Sequence, residues 1–316
     1  MSLANLLVTG ASGFIGRNVL LRAPHGGRVW AAYHQDSTLD AFVREQGLSH
    51  VQAIRCDLTE PTDVAALVAV TGRVDACLHL AANGDPARSA EHPAWDLQRN
   101  TLAVVTLLEH LRADRFVYVS SGAVYDGLQG EVTPSTPVAP LLPYAIAKLA
   151  SEHYVRAAAE RRRTIGGYVN VRFFGAYGPY EPERKITTRL LRAVMSGART
   201  IPIRGNGLNL IDFMYVDDAV DGFLALASAA GFSGTIDFAS GAPVTVNAVV
   251  ESMARVLGVQ LQIEHQGVTE EYIEFRSADT TMRDRFGVAP SVGFDDGVGR
   301  LHRFLQQQID GTRQPA

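Results

Sequence analysis

Two cysteines in 316 residues are too few for a disulfide framework. Cys56 and Cys77 each fall inside an apolar run read as a buried strand, where a thiol acts as a small core hydrophobe. A reducing, cytoplasmic setting is expected. Basic residues are not in excess either. With 29 Lys and Arg against 33 Asp and Glu, the net charge is −4, and the positive field that nucleic-acid binding needs is missing. No apolar run is long enough to span a membrane. Leu3 to Val8 is short, has no basic flank and runs straight into a glycine-rich turn, so neither a signal peptide nor an anchor is expected. Internal repeats and low-complexity linkers are absent, and no metal site is expected. What remains, 47% hydrophobic and 20% charged, can bury one large or two fused domains.

The first half alternates short apolar runs with helical patterns, the mark of an α/β chain with a parallel sheet covered on both faces. Strands are expected at Leu3 to Thr9, Arg28 to Tyr33, Val51 to Arg55, Ala76 to Leu80, Phe116 to Ser120 and Tyr168 to Phe173. Helices are expected at Phe14 to Arg22, Leu39 to Gln46, Pro61 to Val70, Ala94 to Leu111 and Pro143 to Arg162. After Gly178-Pro179 the alternation turns irregular, with helical patterns at Thr187 to Ser196, Asp217 to Ala227, Val246 to Leu257 and Asp295 to Gln308. A doubly wound sheet over residues 1–178 and a smaller C-terminal substrate-binding lobe over 179–316 follow, with interleaving of segments allowed. Pro134, Pro137, Pro140 and Pro143 make the stretch from Tyr125 to Tyr144 an extended loop.

A strand ending at Thr9, glycines at 10, 13 and 16, and a helix opening near Phe14 give the context of a dinucleotide-binding turn. Gly10 permits the turn, Gly13 admits backbone amides to a pyrophosphate, and Gly16 lets helix press on strand. Phe14 and Ile15 lie at the helix start and join the candidate cofactor residues. Asp57, directly after the third strand and followed by Leu58, is placed to meet an adenine amino group or to cap a helix. Where the second strand ends, an acidic residue would bind the ribose hydroxyls of NAD; the chain has Tyr33-His34-Gln35 there. His34 and nearby Arg17 favour NADP over NAD.

Tyr144 and Lys148 stand four apart in a helical stretch, on one face, so that an ammonium lies near a phenol. A phenol titrates near ~10, and proton transfer at neutral pH needs a cation beside it. The strand Phe116 to Ser120 stops at Ser120-Ser121, where carboxyl ends of parallel strands open onto a crevice, so that Ser121 can hydrogen-bond a substrate oxygen.

Taken in order, Gly10-x-x-Gly13-x-x-Gly16, Leu80-Ala81-Ala82, Ser120-Ser121-x-Ala-Val-Tyr, Tyr144-x-x-x-Lys148, Arg172 ahead of Tyr177-Gly178-Pro179, and Asp212-Phe-x-Tyr-Val-Asp217-Asp218 resemble the extended short-chain dehydrogenase/reductases. More closely, the chain resembles their NAD-dependent epimerase/dehydratase family. The resemblance implies a Rossmann sheet, Tyr144 as acid/base on a sugar or alcohol hydroxyl, and Lys148 as a ligand of the nicotinamide ribose that depresses the phenol pKa. It also implies Ser121 as a ligand of the same oxygen, and Asn100 as the holder of a structural or proton-relay water. The family's 4,6-dehydratases carry Asp-Glu directly after the catalytic hydroxyl residue; here Gly122 and Ala123 stand there, which disfavours dehydration. Gly175 and Ile211 replace an Asn and an Arg common among relatives that bind substrate phosphate. Arg184, Lys185, Arg189, Arg204 and Arg276 are left as candidate phosphate ligands or as solvated surface charges.

The leading expectation is an NAD(P)-dependent sugar-nucleotide epimerase or ketoreductase. An NAD(P)-dependent reductase of a non-nucleotide alcohol or ketone is the alternative, since it would need no phosphate arginines. A dinucleotide sensor without turnover would need no Tyr-Lys-Ser set. Surplus apolar residues, Leu102, Val105 and Leu108 on one helix and Leu149, His153 and Ala157 on another, suggest a homodimer.

Overall fold

Seven strands form the central sheet of the computed structural model, which describes residues 3–268 and 274–313. They are β1 (Asn5–Thr9), β2 (Arg28–Tyr33), β3 (Val51–Arg55), β4 (Val74–His79), β5 (Ala113–Ser121), β6 (Ile165–Phe173) and β7 (Gly234–Phe238). The spatial order is β7-β6-β5-β4-β1-β2-β3, and every neighbouring pair is parallel. The order reverses between β1 and β4, whose ends Thr9 and His79 are register partners. Crossovers leave such a switch point on opposite faces, and a crevice opens there.

Side-chain alternation along the strands builds two cores. Leu6, Val8, Ala76 and Leu78 enter one, with Val19 and Leu20 of the helix Phe14–Arg22. Leu7, Cys77, Phe116 and Tyr118 enter the other, with Val104 and Leu107 of the helix Ala103–His110. Both faces are thus covered, as the near-continuous apolar strands required.

β7 lies beyond residue 178. The helix Val216–Ser228 before it packs against the helix Phe14–Arg22 and against β4 and β5, so part of the later segment completes the central layers. The rest forms small strand pairs: Thr200–Arg204 with Gln262–Gln266, Leu210–Ile211 with Val244–Thr245, and Glu274–Ser277 with Gln129–Val132. That last pair places a strand inside the stretch expected to be an extended loop. Cys56 lies one residue past β3 rather than within it, though it is buried.

The segment expected to be one helix from Ala94 to Leu111 is Pro93–Leu97, a wide turn Gln98–Leu102, and Ala103–His110. The helix Pro143–Ala157 opens on a proline, which fits a first helical turn. Its buried face reads Ala145, Ala147, Lys148, Ser151, Glu152 and Val155. A core face with two ionisable groups has to find partners for them, and that requirement points to the site.

Candidate active site

A cleft of about 500 Å³ opens at the switch between β1 and β4, lined by Gly10, Ser12, Gly13, Leu80, Ala81 and Ala82 among others. Gly10 has φ +67°, and a Cβ there would lie 2.7 Å from the Ala81 amide nitrogen; only glycine lets the two strands approach so closely. A Cβ on Gly16 would collide with the Gly10 carbonyl. Gly13 is the N-cap of the helix Phe14–Arg22 and has no side chain to cap it, so the first amides, those of Phe14 and Ile15 included, keep no intrahelical acceptor. Such a terminus suits a phosphate group. The Phe14 and Ile15 side chains themselves pack against the core and do not line the cleft.

Asp57 and Leu58 line the same cleft. The Asp57 carboxylate accepts from the Thr59 amide and hydroxyl at 2.9 and 2.7 Å, from Arg99 at 3.1 Å, and pairs with His34 Nε2 at 2.9 Å. Burial alone would raise its pKa, but the Thr59 hydrogen bonds and the charges of Arg99 and His34 outweigh it and hold Asp57 below the usual range. Arg17 is likewise occupied: it pairs with Asp36 at 2.9 Å and donates to Thr38. Both cations expected to bracket a ribose phosphate therefore already carry carboxylate partners. The end of β2 does not lack an acid either, because Asp36 lines the cleft three residues past Tyr33.

Where β5 ends, the Ser121 hydroxyl accepts from the Ala123 amide at 3.1 Å and faces the Tyr144 phenol closely enough to oppose the rise in its pKa. Lys148 donates to the Val119 carbonyl at 2.9 Å, with its ammonium 5.1 Å from the Tyr118 ring centre and 5.8 Å from that of Tyr144. Burial pulls Lys148 down to about 8, against the opposing pull of Asp96 and Glu152. Burial also raises the Tyr144 phenol, with Ser121 working against it and Asp96 with it. Lys148 thus does not by itself depress the phenol. A serine hydroxyl, a phenol and an ammonium gathered at a strand end form a set able to hold a carbinol oxygen and pass its proton.

Beneath this set the polar groups are linked. Ser120 donates to Glu152 at 2.6 Å, Glu152 forms a buried pair with Arg172 at 3.0 Å, Arg172 donates to the Tyr125 hydroxyl, and Tyr125 donates to Asp237 at 2.8 Å. Ser277 closes the chain on Asp237. The strand end that carries Ser121 is thereby tied to β7 and to the strand Glu274–Ser277.

The model of the NAD dependent epimerase/dehydratase family matches residues 6–236. The chain belongs to that family. Among its relatives is a dTDP-glucose 4,6-dehydratase of Xanthomonas campestris, 26% identical, with 98% of this chain and 97% of that protein aligned. A UDP-glucose 4-epimerase of Mycolicibacterium smegmatis is 25% identical over 96% of this chain and 98% of its own. The structure of MoeE5 in complex with UDP-glucose and NAD superposes with a TM-score of 0.83 at 26% identity, covering 96% of this chain and 99% of that one.

Within this family frame, several expected residues have other employment. The Asn100 side chain accepts from the Asn83 amide at 2.7 Å and donates to Asp96 at 2.7 Å and to the Asn83 carbonyl, so protein partners occupy it. Arg184 pairs with Asp85 at 3.3 Å, and Arg276 pairs with Glu131 at 2.9 Å on the surface. Arg204 ends an outer strand. None of the three lines the cleft. Sequence reasoning missed Asp36, Arg99, Trp95 and Arg88 in the cleft wall, and Asp96 behind it. The Arg88 guanidinium stacks 3.9 Å from the Trp95 ring centre, a contact that only folding creates.

Proposed function

We propose that the protein is an NAD-dependent sugar-nucleotide epimerase or ketoreductase, acting at a carbinol carbon of a UDP- or dTDP-linked hexose. The observation that carries this reading is the Ser121–Tyr144–Lys148 set at the end of β5, on the same carboxyl edge of the sheet as the glycine cradle. Gly10, Gly13 and Gly16 shape the cradle, the amides of Phe14 and Ile15 hold the pyrophosphate, and Leu58 and Leu80–Ala82 wall the cleft. The dinucleotide, once bound, supplies the hydride acceptor and, when oxidised, a positive charge. Tyr144 takes or returns the hydroxyl proton, Ser121 holds the oxygen, and Lys148 binds the ribose, while the positive charge of the oxidised dinucleotide would favour phenolate. Arg184 and Arg204 are the proposed substrate-phosphate ligands, Arg184 exchanging its pair with Asp85 for the substrate, whereas Arg276 keeps its surface pair with Glu131.

NAD rather than NADP is the proposed cofactor. Asp36 in the cleft would accept from ribose hydroxyls and repel a phosphate, and Arg17 and His34 are paired already. Dehydration is disfavoured on packing grounds as well as chemical ones. A Cβ at Gly122 would lie 3.1 Å from the Phe174 ring, so an acidic side chain there would require that ring to shift. A non-nucleotide substrate finds no support among the relatives described above.

A homodimer is proposed through the helices on the outer face. Leu97, Leu102, Ile146 and Tyr154 are exposed there, whereas Leu108 and Leu149, expected to form the patch, turn into the cores. No helix among the described residues is long and apolar enough to cross a membrane. Two free buried thiols support a reducing, cytoplasmic setting.

The test is a panel of UDP- and dTDP-hexoses incubated with protein and NAD and followed by NMR. An epimer, or stoichiometric NADH formation or consumption, is expected. A 4-keto-6-deoxy product would contradict the exclusion of dehydration, and no reaction with any nucleotide sugar would contradict the substrate class.

A further inference from the structure

Two buried ionisable groups near the candidate active site, each pushed by burial toward its neutral form, have no ion-pair partner among the described residues. The Asp96 carboxylate is 0% exposed: Oδ1 accepts from Asn83 and Asn100, both at 2.7 Å, and Oδ2 has no partner. Lys148 is 4% exposed, and among the described residues its ammonium donates only to the Val119 carbonyl. An isolated ion in a protein interior is strongly disfavoured. The helices that carry the two are locked together here, since Thr101 donates to the Ala147 carbonyl at 3.0 Å and Ser151 to that of Asn100 at 2.8 Å. Asp96 lies one turn before Asn100, and Lys148 directly follows Ala147.

We propose that Asp96 is the buried countercharge of Lys148 and, through Asn83 and Asn100, the positioning residue for the cleft wall after β4. The groups facing Lys148 single it out. Glu152, one turn further along the same helix, is committed to Arg172 and Ser120. His79 on β4 is pushed by burial down to about 3 and stays neutral, as do the Tyr118 and Tyr144 phenols, both raised by burial. Of these groups facing Lys148, only Asp96 keeps a carboxylate oxygen without a partner, and it favours the charged lysine against burial. The same carboxylate fixes the Asn83 side chain while Asn100 receives the Asn83 amide, so the segment Ala81 to Asn83 that lines the cleft is anchored on it.

The inference rests on the reading of the cleft as a dinucleotide site, and its two tests separate the readings. Asp96→Asn keeps the size and the acceptor oxygen but removes the charge. NAD affinity, followed by fluorescence of Trp95 in the cleft wall, should weaken on an alkaline limb near pH 8 in the wild type. In Asp96→Asn that midpoint should fall by about one unit, a roughly fivefold loss of affinity at pH 8. Lys148→Met should abolish the limb, and Asp96→Glu should keep it near its wild-type position. A purely structural Asp96 would leave the midpoint in place, and that result would overturn the proposal. The second test needs no cofactor: the melting temperatures of Asp96→Asn, Lys148→Met and the double variant. The double variant should lose less than the sum of the two single losses. Additive losses would overturn the pairing whatever the cleft binds, whereas coupled losses without NAD binding would sink the dinucleotide reading alone.

Discussion

Glu152→Gln exposes the energetics of the linked polar chain most directly. Glu152 and Arg172 are both buried, and their contact is two-pronged, with Arg172 Nε 3.2 Å from Oε1 and Nη2 3.0 Å from Oε2. Burial would depress Arg172, but Glu152 outweighs it and keeps the guanidinium charged. The amide removes the charge and keeps the shape. Arg172 is then a buried cation whose next acid, Asp237, is reached only through the Tyr125 hydroxyl. Removing one member of a buried pair costs about 3–5 kcal/mol, and the retained Gln oxygen places this change near the lower end. At roughly 1.5 °C per kcal/mol for a chain of 316 residues, the melting temperature should drop by about 5 °C. Urea unfolding and differential scanning fluorimetry both read this loss. Replacing the two together, as Glu152→Leu with Arg172→Met, should recover most of it. A single-variant loss under about 1 kcal/mol would refute the reasoning, because the pair would then behave like an exposed one.

Two further outcomes follow from single groups. Burial raises Asp237 to about 6 from an unfolded value of 3.8, so the folded protein binds this proton more tightly. The corresponding stability is complete below pH ~4 and is lost as pH rises through ~6, a change of roughly 3 kcal/mol. Asp237→Asn should lack that portion of the pH dependence in urea titrations, and parallel wild-type and variant curves would contradict it. Asp36→Asn frees Arg17 and removes a negative charge from the cleft, so the NAD-over-NADP ratio should fall at least about tenfold, or ~1.4 kcal/mol, in titrations of the two dinucleotides. An unchanged ratio would show that Asp36 does not face the ribose.

The parts legible in the sequence were those written in local pattern. The glycine spacing, most of the strand–helix alternation and the Tyr144–Lys148 interval each depend on neighbours within a few residues, and the structure places these where the pattern indicated, apart from the break at Gln98–Leu102 and the strand Gln129–Val132. Non-local pairing was not legible. β7 joins β6 across about sixty residues, and nothing in Gly234–Phe238 distinguishes a central strand from a lobe strand. The partners of long side chains were equally hidden, so Arg17, His34, Arg184 and Arg276 read as available cations although each meets a carboxylate. The outer apolar patch was legible only in part, since Leu102 faces out as expected while Leu108 does not. The wide turn Gln98–Leu102 carries an extra residue per turn, which rotates the following helix and sends Leu108 inward while Leu97 and Leu102 face out. Asp96 gave no signal because a single acid in a helix is ordinarily solvated.

Tyr144→Phe decides the function most directly, measured as NAD affinity and nucleotide-sugar turnover on the same preparation. Loss of the phenol should leave NAD affinity nearly unchanged and lower turnover by a factor of roughly 10² to 10⁴. Turnover within about threefold of wild type would contradict Tyr144 as the proton-transfer group, and with it the reading of this site as a sugar-nucleotide oxidoreduction centre.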